Sequence, residues 1–162
     1  MKKFGWPMSA ILIALSAVGL LAQQPKSKPT PITDVSIEHT ACFGTCPVYK
    51  IILHQDNTAT FIGQKYTDRI GTYKANVGPF VRLSKSVQDH GFFGLSEHYS
   101  SGVTDQAHVI TTVSQGGRLK TVENEGNAGP QGLWELQAII DGAAAQAHWM
   151  KISDSTTYPK TH

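Results

Sequence analysis

Between residues 34 and 152 the spacing of apolar positions changes period several times, and each change marks an element. Val35, Ile37, His39 and Ala41 alternate with Ser36, Glu38 and Thr40, the period-two pattern of a strand with one buried face. Residues 48–53 and 59–63 are β-rich runs joined by a polar segment. Asp56-Asn57 in that segment predicts a turn, because both side chains bond their own main chain and tolerate left-handed backbone. Residues 69–75 predict a fourth strand. Val109, Thr111 and Val113 alternate again, and Gly116-Gly117 then turns the chain into a strand at residues 118–122.

Two segments switch to helical spacing. Gly78-Pro79 opens the first, with proline at the first helical position; Phe80, Leu83 and Val87 line one face, and Gly91 stops it. Gly129-Pro130 opens the second by the same device. Leu133, Leu136, Ile140, Ala144 and Ala147 share a face there, with Trp134 and Trp149 near the ends. The order is ββββαββα. It predicts an α+β domain: an antiparallel sheet of about six strands with two helices packed on one face. A six-strand barrel is disfavoured, because so long an apolar helix face needs a sheet to cover it.

Outside this region the pattern is of another kind. Lys2 and Lys3 precede an apolar stretch that closes on small residues, so residues 1–22 read as a cleavable signal peptide. The uncharged stretch from residue 4 to 22 is at the short edge of the ~20 residues a spanning helix needs, so an uncleaved segment would be the chain's one membrane contact. No cysteine follows it closely, which excludes a lipoprotein. Pro25, Pro29 and Pro31 make residues 23–33 an extended linker. Residues 34–152 are the single folded domain and residues 153–162 a polar tail. The expected location is periplasmic or secreted.

Composition narrows the function classes. At 40% hydrophobic and 16% charged, the chain is neither disordered nor polytopic. Lys and Arg number 14 against 12 Asp and Glu, and loss of Lys2 and Lys3 with the leader leaves the two signs equal. A nucleic-acid binder carries a basic surplus that this chain lacks.

The only chemical signature is Cys42-Phe43-Gly44-Thr45-Cys46-Pro47, between two predicted strands. Three readings of it stand side by side. A disulfide suits an exported chain with an even cysteine count. Extended backbone would hold the two alpha carbons about 13 Å apart, so the loop must fold back, and Gly44 permits that. Alternatively, His39, Cys42 and Cys46 offer an imidazole and two thiolates, a set suited to Cu(I) or Zn. His39, however, alternates in phase with Val35 and Ile37, which assigns it to sheet packing. A redox-active pair is the third reading, although the spacing exceeds Cys-x2-Cys and no helix begins there.

The same residues resemble an uncharacterised bacterial family of exported domains, DUF6438, built around Cys-Phe-Gly-x-Cys-Pro-x-Tyr. Here the motif is Cys42, Phe43, Gly44, Cys46, Pro47 and Tyr49. Gly91-Phe92-Phe93, Val103-Thr104-Asp105 and the helix containing Asp141 extend the likeness over nearly the whole folded unit. The family usually has glycine after the turn aspartate, where this chain has Asn57. The resemblance implies no activity and transfers no functional residues.

No nucleophile elbow, His-Glu-x-x-His or phosphate-cradling loop is present. Asp89, His90, Glu97 and His98 cluster in sequence as a polar helix end and loop, and Phe92, Phe93 and the tryptophans of the last helix are expected in the core. The expectation is an exported, non-catalytic binding or structural module without a cofactor. Its partner would be an envelope or extracellular protein or a small ligand. The alternative is a small thiol-based Cu/Zn-binding or redox protein.

Overall fold

The computed structural model describes Met1 and residues 30–157; the expected leader, most of the linker and the end of the tail lie outside the described residues. The elements are β1 (Ile32–His39), β2 (Val48–His54), β3 (Thr58–Lys65), β4 (Gly71–Asn76), α1 (Phe80–Asp89), β5 (His98–Tyr99), β6 (His108–Gln115), β7 (Arg118–Glu125), α2 (Gln131–Ala145) and β8 (Met150–Ser153). A 3-10 turn at Phe92–Gly94 follows α1.

The α+β class stands, but the sheet has eight strands where six were expected, in the order β5-β7-β6-β1-β2-β3-β4-β8. Four strands run as a meander, α1 carries the chain back, and the β6–β7 hairpin docks on the free edge of β1. β5 and β8 escape the sequence pattern for different reasons. β5 is two residues long and pairs parallel to β7, so the sheet is not wholly antiparallel. β8 alternates over only four residues, all exposed, after helical spacing that reaches Ala147 in the sequence. α2 in fact ends at Ala145, and Trp149 turns back to donate its indole N–H to the Ala144 carbonyl at 3.0 Å. β1 begins two residues inside the expected linker, where Ile32 is buried in the core.

One apolar core lies between the sheet and the helices. Val35, Ile37, Ile51, Leu53, Phe61, Val113 and Val122 face Phe80, Leu83, Val87, Leu133, Leu136 and Ile140. Ile52 and Ile62 are buried from the opposite face, so mid-sheet β2 and β3 read as runs rather than alternations. The prolines act one position earlier than expected. The helices start at Phe80 and Gln131, and the carbonyls of Pro79 and Pro130 accept the first bonds, from Arg82 and Leu133, both at 3.0 Å. A buried polar chain fixes the start of α2. Asn124 receives the Gly129 N–H at 2.8 Å and donates to Gln137 at 3.2 Å, and Gln137 donates to Thr111 at 3.1 Å. Among the described residues no helix is long and apolar enough to cross a membrane.

Asn57 departs from the family's glycine yet keeps the left-handed turn, with φ 66°. Its side chain has a second role. Oδ1 accepts the Phe80 N–H at 2.8 Å, capping α1 from a distant hairpin, because Pro79 at the cap position has no side-chain acceptor. Asn57→Gly preserves the turn and deletes the cap. It is expected to lower unfolding stability by about 1 kcal/mol in urea titration; unchanged stability would show the cap to be idle.

Candidate functional site

The β1–β2 connection carries the cysteine motif. Cys42 and Cys46 lie at disulfide-bonding distance, with alpha carbons 5.7 Å apart. Backbone bonds dock this loop on the segment leading into β6: Phe43 N–H donates to Asp105 O at 3.1 Å, and Thr40 N–H to His108 O at 3.0 Å. Gly44 has φ 153°, and a Cβ there would meet only Cys42 Sγ at 3.8 Å. Backbone conformation rather than crowding therefore reserves the position for glycine. Phe43 is 90% exposed, so the motif aromatic is not a core residue. Pro47 and Tyr49 lead from the loop into β2.

His39 and Tyr49 end β1 and begin β2 as direct cross-strand partners. Their rings stack at 4.5 Å with 24° between planes. Both reach the same carboxylate on α2: His39 Nε2 lies 3.0 Å from Asp141 Oδ2, and Tyr49 donates its hydroxyl to Oδ1 at 3.2 Å. Burial, then the charge of Asp141, push the Tyr49 phenol up, so it remains a donor at any physiological pH. The in-phase placement of His39 with Val35 and Ile37 holds, and its polar partner is this aspartate.

Beyond Tyr49 the aromatic row continues across the sheet. Tyr49 stacks on Phe61 at 5.5 Å, Phe61 meets Tyr73 edge-on at 6.3 Å, and Trp149 lies 5.5 Å from Phe61. Tyr49, Phe61 and Trp149 of this row line a cleft of about 500 Å³, together with the small residues Ala144 and Ala145 of α2 and residues 66–69 after β3. That size is typical of small-ligand sites, about 300–1,000 Å³. Arg69 lies over the Phe61 ring at 5.5 Å and pairs with Asp68 at 2.5 Å. Gly63 allows this closure: a Cβ there would fall 1.8 Å from the Arg69 carbonyl oxygen. Tyr66, at the rim, holds φ 53°. For a bulky aromatic that backbone is strained, of order 1–3 kcal/mol, and such strain concentrates at functional positions.

A second, smaller pocket on the other side of Asp141 is lined by His39, Gln137 and Trp134. A third groove, of about 180 Å³ between α1 and α2, is mostly apolar, with Arg82 and Ser86 as its polar side chains. The residues that surround the 500 Å³ cleft were largely missed by sequence reasoning. Tyr66 and Asp68 sit in a connection without motif, Arg69 precedes β4, which begins at Gly71 rather than at the expected residue 69, and Trp149 lies beyond the helix expected to hold it. Trp134 is 46% exposed and Phe93 is 39% exposed, which also corrects their assignment to the core; Phe92 is buried as expected.

The remaining polar candidates disperse. Asp89 pairs with Lys85, His90 with Glu135, and Glu97 with Lys120, so the sequence cluster around Phe92-Phe93 is not a spatial one. His98 and His108 both contact Glu123, and their hydrogen bonds hold its carboxyl below the usual range. His54 bridges Asp34 at 2.7 Å and Thr60 at 3.2 Å, linking three strands. Among the described residues no three His, Cys, Asp or Glu side chains are grouped to hold a metal ion, and His39 is committed to Asp141.

Protein recovered from its native compartment without reductant is expected to show no titratable thiol and an intact mass two hydrogens below the reduced form. Cys42→Ser should cost about 2 kcal/mol, the chain-entropy value for so short a ring, and lower the midpoint by several degrees. Two free thiols in that sample would overturn the assignment.

No curated protein and no solved structure matches the chain. The family comparison is positive: residues 33–144, from β1 to the last turn of α2, match the model of DUF6438, a domain of unknown function. That span contains the cysteine loop, the His39–Tyr49–Asp141 node and every cleft residue except Ala145 and Trp149, and the chain belongs to the DUF6438 family.

Proposed function

We propose that this protein is an exported, non-catalytic binding module whose ligand occupies the cleft between the aromatic row and the end of α2. The observation that carries the reading is the convergence there of apolar ring surface with a few polar groups, Asp141, Asp68 and Arg69, in a cavity of ligand size. Asp141 has both oxygens engaged and Tyr49 is held protonated, so neither is poised as a base or a nucleophile. The cysteine pair at bonding distance and the lysine–apolar–small order of the leader support export. An intact mass beginning near Gln23 or Leu20 in the sample used for thiol titration is the expected companion result.

The test is a fragment screen read by 15N NMR on the purified protein, using small neutral rings, polyols, amines and carboxylates. Binding is expected to move the Trp149 indole N–H and the backbone amides of Tyr49 and Arg69, leaving the Trp134 indole in place. Gly63→Ala should abolish those shifts by forcing the Arg69 backbone away. A library that moves nothing in the cleft, or moves only the Trp134 side of Asp141, contradicts the reading.

A further inference from the structure

We infer that the ligand of this cleft is a neutral carbohydrate, a pyranose unit of an oligosaccharide. The inference rests on the binding reading above and adds the chemical class.

The charges of the cleft are already paired within the protein. Arg69 is held by Asp68 at 2.5 Å, and Asp141 is shared by His39 at 3.0 Å and Tyr49 at 3.2 Å. Opposite charges also stand side by side in the lining: an anionic ligand would meet the carboxylates of Asp68 and Asp141, and a cationic one the guanidinium of Arg69. A wholly apolar ligand fails for the opposite reason. It would cover three charged groups and return no hydrogen bond to any of them, and desolvation without compensation is costly.

A sugar ring satisfies both demands. Its hydroxyls donate and accept, so one can bridge a carboxylate oxygen and a guanidinium N–H while the ion pair stays intact. Carboxylates retain lone pairs and Arg69 retains N–H donors after the internal bonds are made. The C–H face of a pyranose is apolar and flat and packs on aromatic side chains, of which Tyr66 and Trp149 both line the cleft.

The conformation of Tyr66 is the second, independent observation. A left-handed backbone is a costly way to place an aromatic side chain, and a turn there would be easier with glycine or asparagine. Tyr66 is 48% exposed and lines the cleft, with Lys65 Nζ 4.6 Å from its ring centroid. The sequence keeps a ring where the backbone favours none, which points to use of the ring by something outside the chain.

The experiment titrates the purified protein with cellotriose, maltotriose and chitotriose, with tetramethylammonium and the peptide Ala-Phe-Ala in parallel, reading the same NMR resonances. At least one trisaccharide is expected to give a saturable shift of the Trp149 indole N–H. Tyr66→Gly relieves the backbone and removes the ring, so it should leave the thermal midpoint equal or higher while weakening that binding tenfold or more. If fragments, tetramethylammonium or the peptide occupy the cleft and no trisaccharide does, the carbohydrate class is wrong and the binding reading survives. If a trisaccharide binds equally well to Tyr66→Gly, the stacking role is wrong. If no probe from either experiment moves the cleft, both readings fall together.

Discussion

The carboxylate of Asp141 is the point on which the site end of the molecule depends. A helix that packs on a sheet through Leu, Ile and Ala alone has little to set its position along its own axis, because apolar contacts are non-directional. Asp141 supplies direction. Its two oxygens reach two cross-strand partners, His39 and Tyr49, so α2 is tied to the last pair of β1 and the first pair of β2 at once. The cysteine loop connects those same two residues. Its closure between Cys42 and Cys46 and its backbone bonds to Asp105 and His108 constrain the strand ends that present them.

The far end of α2 is held by different chemistry, the fully buried chain from Gly129 through Asn124 and Gln137 to Thr111. With both ends fixed, the last turn carries only small side chains toward the cleft, and space remains that a bulkier helix would fill. The opposite wall is made by backbone. Gly63 lets the Arg69 carbonyl approach, and the strained Tyr66 turns the chain so that Arg69 returns over Phe61. Buried side-chain polar atoms without a partner are absent among the described residues, so neither helix anchor leaves a buried side chain unpaired.

Much of the frame was legible because it is local. Alternation, β-rich runs and turn residues located six strands, and Gly-Pro located both helix starts. The sheet order was not legible, since pairing of β6 with β1 links residues from 70 (His39 with Val109) to 83 (Ile32 with Gln115) positions apart and nothing in either strand names its partner. The phase of His39 was readable, but its partner Asp141 is 102 positions away. The motif contained Tyr49 and the resemblance pointed to the helix of Asp141, yet only the fold joins them. Tyr66 and Arg69 had no signal, because the strain of one and the ring contact of the other are properties of tertiary closure. Trp149 was misread for a definable reason: helical spacing continued through Ala147, although alanine fits a helix face and a turn equally well.

The most direct measurement of the central claim is a double-mutant cycle in urea between Tyr49→Phe, which removes only the hydroxyl, and Asp141→Ala. If the shared carboxylate positions α2, the two changes couple by about 1 kcal/mol or more, as expected for a partly buried bond to a charged acceptor. Additivity within about 0.3 kcal/mol, the behaviour of independent sites, would contradict it and leave the Asp141 end of the helix held by apolar packing alone.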